Sequence, residues 1–149
     1  MKEIISNLQP EDSKEILELI SYDTEEAGGL MSTDYFAVTP QYTIQETKDA
    51  LRKHKKDIKT VSYVYIIDNE HHPIGVLSLR ELTLANDEDL ISKHMVTNVF
   101  SVTLDTPYKE IAIYLTKYNL FSITVVDQMG KLVGIVMIDD IMRKLFPDA

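Results

Sequence analysis

Between positions 31 and 146 the apolar residues change period in a regular way. Tyr63–Ile67 and Ile123–Val126 are short runs rich in β-branched and aromatic residues, each ending at an aspartate, and read as buried strands. Ahead of each run, apolar positions recur at helical spacing: Ile44, Thr47, Ala50 and Leu51 in one segment, Ile111, Ala112, Leu115 and Tyr118 in the other. The first helix opens with a capping box, Thr43 with Glu46 three positions on. The second opens at Pro107, whose fixed φ suits a first helical turn. The stretches 68–73 and 127–130 hold turn-forming residues, after which Gly75 and Gly134 are expected to open further strands. Helices from about Arg80 to Ala85 and from Asp139 to Leu145 complete the pattern. A separate amphipathic helix is expected over Glu11–Tyr22, with Ile16, Leu17, Leu19 and Ile20 on its apolar side.

These elements are two copies of one unit. Met31-Ser-Thr-Asp-Tyr-Phe-Ala-Val-Thr39 aligns with Met95-Val-Thr-Asn-Val-Phe-Ser-Val-Thr103 at an offset of 64. Val64-Tyr-Ile-Ile-Asp68 aligns with Ile123-Thr-Val-Val-Asp127 at 59, and Gly75-Val-Leu-Ser-Leu with Gly134-Ile-Val-Met-Ile at the same 59. The five additional residues of the first copy are expected around Lys53–Thr60, in a loop that tolerates insertion. Each copy reads as strand, helix, strand, strand, helix. So small a sheet cannot cover both its faces alone, so the two copies are expected to pack together as an α/β pair. The divisions are a helical segment over 1–23, a first repeat over 24–86 and a second over 87–149.

Composition narrows the function classes. With 149 residues and a 44% hydrophobic fraction, the chain can bury a core. It has no cysteine, which removes disulfides, thiolate nucleophiles and thiolate metal sites, and fits a reducing compartment. A net charge of −9 argues against nucleic-acid binding, which needs a basic surface. No apolar run reaches the roughly 18 residues of a membrane helix, so a soluble segment is expected, any membrane part lying beyond Ala149. Nucleophile elbows, phosphate-binding P-loops and His-Glu-x-x-His are all absent from the sequence, so an enzyme is not expected. The adjacent His71 and His72 read as a solvated turn, and Asp87-Glu88-Asp89 as a solvated helix start.

The duplication resembles a tandem CBS pair, over roughly Thr24 to Phe146. More narrowly, Asp23-Thr-Glu-Glu-Ala-Gly-Gly-Leu-Met31, Tyr63-Val-Tyr-Ile-Ile-Asp68 and Gly75-Val-Leu-Ser-Leu-Arg-Glu-Leu82 resemble motifs of MgtE-type magnesium transporters, in the same order. That resemblance implies a cytosolic sensor module, binding adenine nucleotide such as ATP in some members and sensing Mg2+ to gate an adjoining membrane channel domain. It also implies a homodimer, formed through helices.

CBS pairs take adenosine ligands between repeats, with a Ser or Thr three positions after a glycine and an Asp six positions after it. In the first copy this pattern falls on Gly75, Ser78 and Glu81, a glutamate keeping the ribose acceptor one methylene further out. Arg80 offers donors to phosphate, and by resemblance Tyr63 stacks on the adenine. In the second copy it falls on Gly134, Met137 and Asp140, so the hydroxyl is lost, and Thr124 stands where many repeats carry proline. One cleft is therefore expected to be the more competent. Phe100 and Phe121 are candidate pocket walls. The alternative is structural: Ser78 and Asp140 cap their helices, and Tyr63, Phe100 and Phe121 fill the core. At the level of function, the matching alternative is a ligand-free dimerisation scaffold. For magnesium, Asp139 and Asp140 form at most a weak site, because Lys109, Asn119 and Arg143 stand where the resemblance implies carboxylates.

Overall fold

The computed structural model describes residues 25–54 and 62–147; the helix expected over Glu11–Tyr22 lies outside the described residues. The first repeat contains α1 (Ala27–Leu30), β1 (Ala37–Val38), α2 (Ile44–Lys53), β2 (Tyr63–Ile67), β3 (Pro73–Ser78) and α3 (Leu79–Leu84). The second contains α4 (Ile91–His94), β4 (Ser101–Thr103), α5 (Tyr108–Lys117), β5 (Ser122–Val126), β6 (Leu132–Met137) and α6 (Ile138–Leu145). Each forms a three-stranded sheet, β1-β2-β3 or β4-β5-β6, whose first two strands are parallel and last two antiparallel. The parallel step is made by the crossover helix α2 or α5, as such a connection requires.

The repeat predicted from sequence is reproduced in element order and in hairpin register. Gly75 pairs with Ile66 and Gly134 with Val125, and each hairpin shifts register one residue further on, at Ile67 and Val126. Helices α2 and α5 hold the larger offset and strands β2 and β5 the smaller, so the extra residues of the first repeat fall between His54 and Ser62. The two glycines lie inside β3 and β6 rather than at their starts, because those strands begin earlier, at Pro73 and Leu132. Their lack of a side chain admits a methionine from the other repeat. A Cβ on Gly75 would overlap the Met95 side chain, and one on Gly134 would overlap Met31 and come within 3.0 Å of the Ser32 carbonyl.

Helix α2 carries the expected capping box: the Glu46 N–H donates to Thr43 Oγ1 (3.1 Å) and the Thr43 N–H to Glu46 Oε1 (3.0 Å). Such a cap contributes about 1 kcal/mol. Helix α5 has Pro107 at its N-cap position and no side-chain cap. Ile111 and Leu115 are buried as expected, but Tyr118 is not: it ends the helix, 45% exposed. There the helical period stops, and the side chain is directed by the turn rather than by the buried stripe.

The opening segment of each repeat packs on the other repeat. Ser32 bridges to Ile135, and its counterpart Val96 bridges to Val76; Glu26 bridges to Pro107, as Leu90 does to Thr43. The Ala27 N–H donates to the Thr106 carbonyl and the Ile91 N–H to the Tyr42 carbonyl, both at 2.8 Å. Each of these contacts thus has a mate with the repeats interchanged, the signature of twofold symmetry. The cores obey the same exchange. Ile91 completes the cluster of Phe36, Val38, Ile44, Val64, Ile66, Leu77 and Leu82. Ala27 does so for Val102, Ile111, Leu115, Ile123, Val125, Val136 and Ile141.

A third apolar layer, centred on Tyr65, Leu132 and Ile135, joins the repeats. At its far edge the turn between β2 and β3 meets the turn between β5 and β6. Here the expectation of a merely solvated histidine pair needs correction. His71 takes φ 68°, its carbonyl accepts from the Leu132 N–H (2.8 Å), and its Nε2 lies 2.8 Å from the Tyr35 hydroxyl. His72 reaches the Met129 carbonyl. The two rings point apart, as adjacent residues do, but both find partners on elements folded against their turn. The acidic run 87–89 is likewise engaged: the carbonyls of Asp87 and Asp89 accept from the first-turn N–H groups of Gln45 and Ile44, and Lys48 pairs with Asp87 at 2.8 Å.

Candidate functional site

Two clefts open between the repeats where the β2–β3 and β5–β6 hairpins lead into α3 and α6. They occupy equivalent positions under the twofold relation and differ greatly in size. The larger holds about 470 Å³, within the range of small-molecule sites, and the smaller about 80 Å³.

The larger cleft is lined by Ser78 and Glu81 at the start of α3, Tyr63 on β2, and Phe100 just before β4. Local sequence places each of them. Ser78 ends β3 in an extended conformation and caps α3: the Glu81 N–H donates to Ser78 Oγ (3.1 Å), which donates in turn to Glu81 Oε1 (3.2 Å). Capping and lining are therefore one placement, and the hydroxyl and carboxylate are presented side by side. Glu81 is the sole carboxylate among the described residues lining this cleft, and none of them is cationic. Tyr63 is half-buried, its hydroxyl oxygen accepting from the Phe121 N–H at 3.1 Å, and it borders both clefts.

The same cleft has an aromatic wall. Phe100 packs 4.7 Å from Tyr114 and 4.9 Å from Tyr118, ring centre to ring centre, and Phe100 and Tyr118 line the cleft. Such a wall offers exposed ring faces for a flat heteroaromatic group. Tyr65, Asn98 and Ser122 also line the cleft and were not singled out in the sequence; Thr124, noted there only for standing in place of a proline, lines it too. Tyr65 was open to inference, because it lies two positions from Tyr63 on one strand and so shares its face. Tyr118 was hidden by its assignment to the core face of α5. Thr124 is fixed by its neighbours, with its Oγ1 2.5 Å from Ser101 Oγ and donating to the Phe100 carbonyl (3.1 Å).

The remaining candidates are elsewhere. Phe121 and Asp139 line the smaller cleft with Tyr35, Met137 and Ile138. Met137, in the position of Ser78, supplies no cap to α6 and no hydroxyl. Asp140 lines neither cleft and is ion-paired with Arg143 one turn on; it does not cap α6. Arg80 is exposed on the first turn of α3, outside the cleft lining. Among the described residues no three His, Asp or Glu side chains gather where they could hold a metal ion. No described helix is long and apolar enough to cross a membrane.

Comparison with known proteins gives a consistent picture. The CBS domain model matches residues 27–88 and 87–147. Magnesium transporter MgtE of Thermus thermophilus is 37% identical over 142 residues, which is 95% of this chain and 32% of the transporter. The chain thus spans about a third of the length of that relative. Among solved structures, the cytosolic domain of the Mg2+ channel MgtE in complex with ATP superposes with a TM-score of 0.84 at 35% identity, covering 96% of this chain and 58% of that one. The CBS domain pair of protein MJ0100, in complex with 5-methylthioadenosine and S-adenosyl-L-methionine, does so with a TM-score of 0.70 at 25% identity, over 83% of this chain and 98% of that one.

Proposed function

The chain belongs to the CBS domain family, two such domains forming its folded body, and from that premise we propose that it is a regulatory module binding one adenine nucleotide, within a magnesium transporter of the MgtE type and on its cytosolic side. The observation that carries this reading is the larger cleft, which brings Ser78 and Glu81 together with an aromatic wall around a volume suited to a nucleoside. In it the base stacks between Tyr63 and the Phe100–Tyr118 wall. Glu81 accepts from the ribose hydroxyls, with Ser78 beside it. The phosphates leave through the mouth, toward Arg80 on the exposed turn of α3. The smaller cleft stays empty, so stoichiometry is one per chain. The ATP complex of a related cytosolic domain and the adenosyl ligands of a second CBS pair support the ligand class.

Such a ligand regulates by preferring one arrangement of the repeats, or of two chains, over another. Exposed Ile113 on α5, with Met142, Leu145 and Phe146 on and just after α6, supports pairing of two copies through helices. The reading assigns no catalytic step to the cleft.

Calorimetric titration with ATP, ADP and AMP, with and without magnesium, tests the proposal. Saturable binding at one site per chain is expected. Absence of heat with all three leaves the ligand-free scaffold as the better reading. Sedimentation is expected to show a dimer at high concentration.

A further inference from the structure

His72 stands between two hydrogen-bond acceptors. Its Nδ1 lies 3.1 Å from Asp68 Oδ2, on its own turn, and its Nε2 lies 3.1 Å from the Met129 carbonyl, on the turn of the other repeat. A carbonyl cannot donate, and neither can an ionised carboxylate, so each contact needs an N–H on the ring. Neutral imidazole has one N–H and imidazolium has two. Both contacts are satisfied together only by the charged ring. The neutral ring must give up one of them, and its single N–H stays with the charged, stronger acceptor Asp68, leaving the Met129 carbonyl without its donor.

The surroundings select the same state. Asp68 is held in place because its Oδ1 accepts the backbone N–H groups of Glu70 and His72, both at 2.9 Å. Glu70 adds a second carboxylate, 4.0 Å from Nδ1. On the facing turn the charged residues are Asp127 and Lys131. Asp127 Oδ1 is occupied by the N–H groups of Met129 and Lys131, at 2.9 and 3.0 Å. Gly130, at φ 79°, leaves room beneath the ring: a Cβ there would meet His72 Cδ2 at 3.4 Å.

We propose that protonated His72 is a clasp between the two repeats, and that loss of its proton releases the turn-to-turn contact, so that the packing of one repeat on the other responds to pH. The site lies at the turn end of hairpin β2–β3, while Tyr63 and Ser78 in the larger cleft lie at its open end. A proton at His72 and a ligand in the cleft therefore act on the same two strands from opposite ends.

The titration behaviour agrees in sign. The hydrogen bond to Asp68, then that to the Met129 carbonyl, raise the His72 pKa above its ordinary 6.5, against a smaller opposing effect of desolvation. A raised value in the folded state means the clasp is fully formed below 6.5 and is lost as pH rises through the raised value. Asp68 is shifted the other way, chiefly by the His72 backbone N–H, so it remains ionised throughout that window.

The test is an NMR titration of the imidazole nitrogens, joined to hydrogen exchange at Leu132, whose N–H donates to the His71 carbonyl across the same contact. Both His72 nitrogens are expected to stay protonated past pH 6.5, and the Leu132 protection factor to fall as the second proton leaves. His72→Gln, with a single amide donor group, is expected to flatten that pH dependence. Asp68→Asn is expected to lower the His72 midpoint. A His72 midpoint at or below 6.5 in the unmodified protein overturns the proposal, as does a Leu132 pH profile unchanged in His72→Gln.

Discussion

The Tyr65 hydroxyl and Ser122 Oγ stand 2.5 Å apart in the layer between the repeats, the residues 3% and 7% exposed. One comes from each repeat, so this bond ties the sheets together in a nearly buried layer. Tyr65→Phe is expected to cost about 1–3 kcal/mol, the penalty of a buried hydroxyl left without its partner. Ser122→Ala added to it should recover part of that loss, measurable by denaturant unfolding of the single and double variants.

The same tyrosine gives an alkaline signature. Burial, the largest cause, pushes its phenol up from 10 to about 12. The unfolded chain therefore ionises first, and stability present below pH 10 declines as pH rises toward 12. Absorbance titration should show late-ionising tyrosines, Tyr65 together with Tyr35 and Tyr114, whose phenols are raised as well, and Tyr65→Phe should lack the Tyr65 component of the alkaline decline.

The two interior glycines should differ in tolerance. The nearest atoms to a Cβ on Gly75 all belong to the Met95 side chain, whereas one on Gly134 also meets the Ser32 carbonyl at 3.0 Å, and that carbonyl accepts from the Ile135 N–H. A methionine moves more readily than a paired backbone. Gly134→Ala is therefore expected to lower the melting temperature more than Gly75→Ala, within the roughly 1–3 kcal/mol usual for overpacking. Met95→Ala should rescue Gly75→Ala, while Met31→Ala should rescue Gly134→Ala only in part.

For the ligand, Glu81→Ala is expected to weaken nucleotide binding by about 1–3 kcal/mol through loss of a charged acceptor. Stability should change little, because Glu81 is exposed and its carboxylate hydrogen-bonds the Ser78 hydroxyl at the surface. Unchanged calorimetric affinity would move the ribose contact elsewhere.

Magnesium should be bound weakly by this segment on its own. Arg143 occupies Asp140, Lys109 lies on α5, and Asn119 follows that helix at φ 54°. Hard cations need several oxygens converging on one point. Hydrogen exchange should show no strong protection of α5 and α6 at magnesium well below about a millimolar; such protection would refute the expectation.

The fold was legible because its information is periodic. Capping at Thr43, the aspartate-terminated strands and the paired offsets are local patterns, and they placed β2, β3, β5 and β6 and helices α2, α3, α5 and α6 near their observed bounds, whereas the short helices α1 and α4 that open the repeats were not foreseen. Along the β2–α3 segment the candidate site was legible through the family resemblance, since Tyr63, Ser78 and Glu81, the residues it implied, line one cleft. Contacts between distant segments left no such trace. Nothing near Ala27 or Ile91 tells which repeat each will complete, because both repeats offer the same hole to the same kind of residue. Likewise His72 meets a backbone carbonyl, and a carbonyl has no residue identity to read. Tyr118 and Arg80 show a further limit: periodicity says which face a residue occupies only while the helix lasts, and a spacing rule gives proximity along the chain without giving direction.

The exchange of opening segments bears on how such a protein arises. A lone repeat would lack the residue that fills its core, as Ile91 fills that of the first and Ala27 that of the second. It could close that core only by borrowing from an identical neighbour, as an obligate swapped dimer. Joining two copies in one gene turns that encounter between molecules into a step within one chain. The copies are then free to diverge, and the differences between Ser78 and Met137, and between an open cleft and a nearly closed one, are the kind of change that a strictly symmetric ancestor could not make on one side alone.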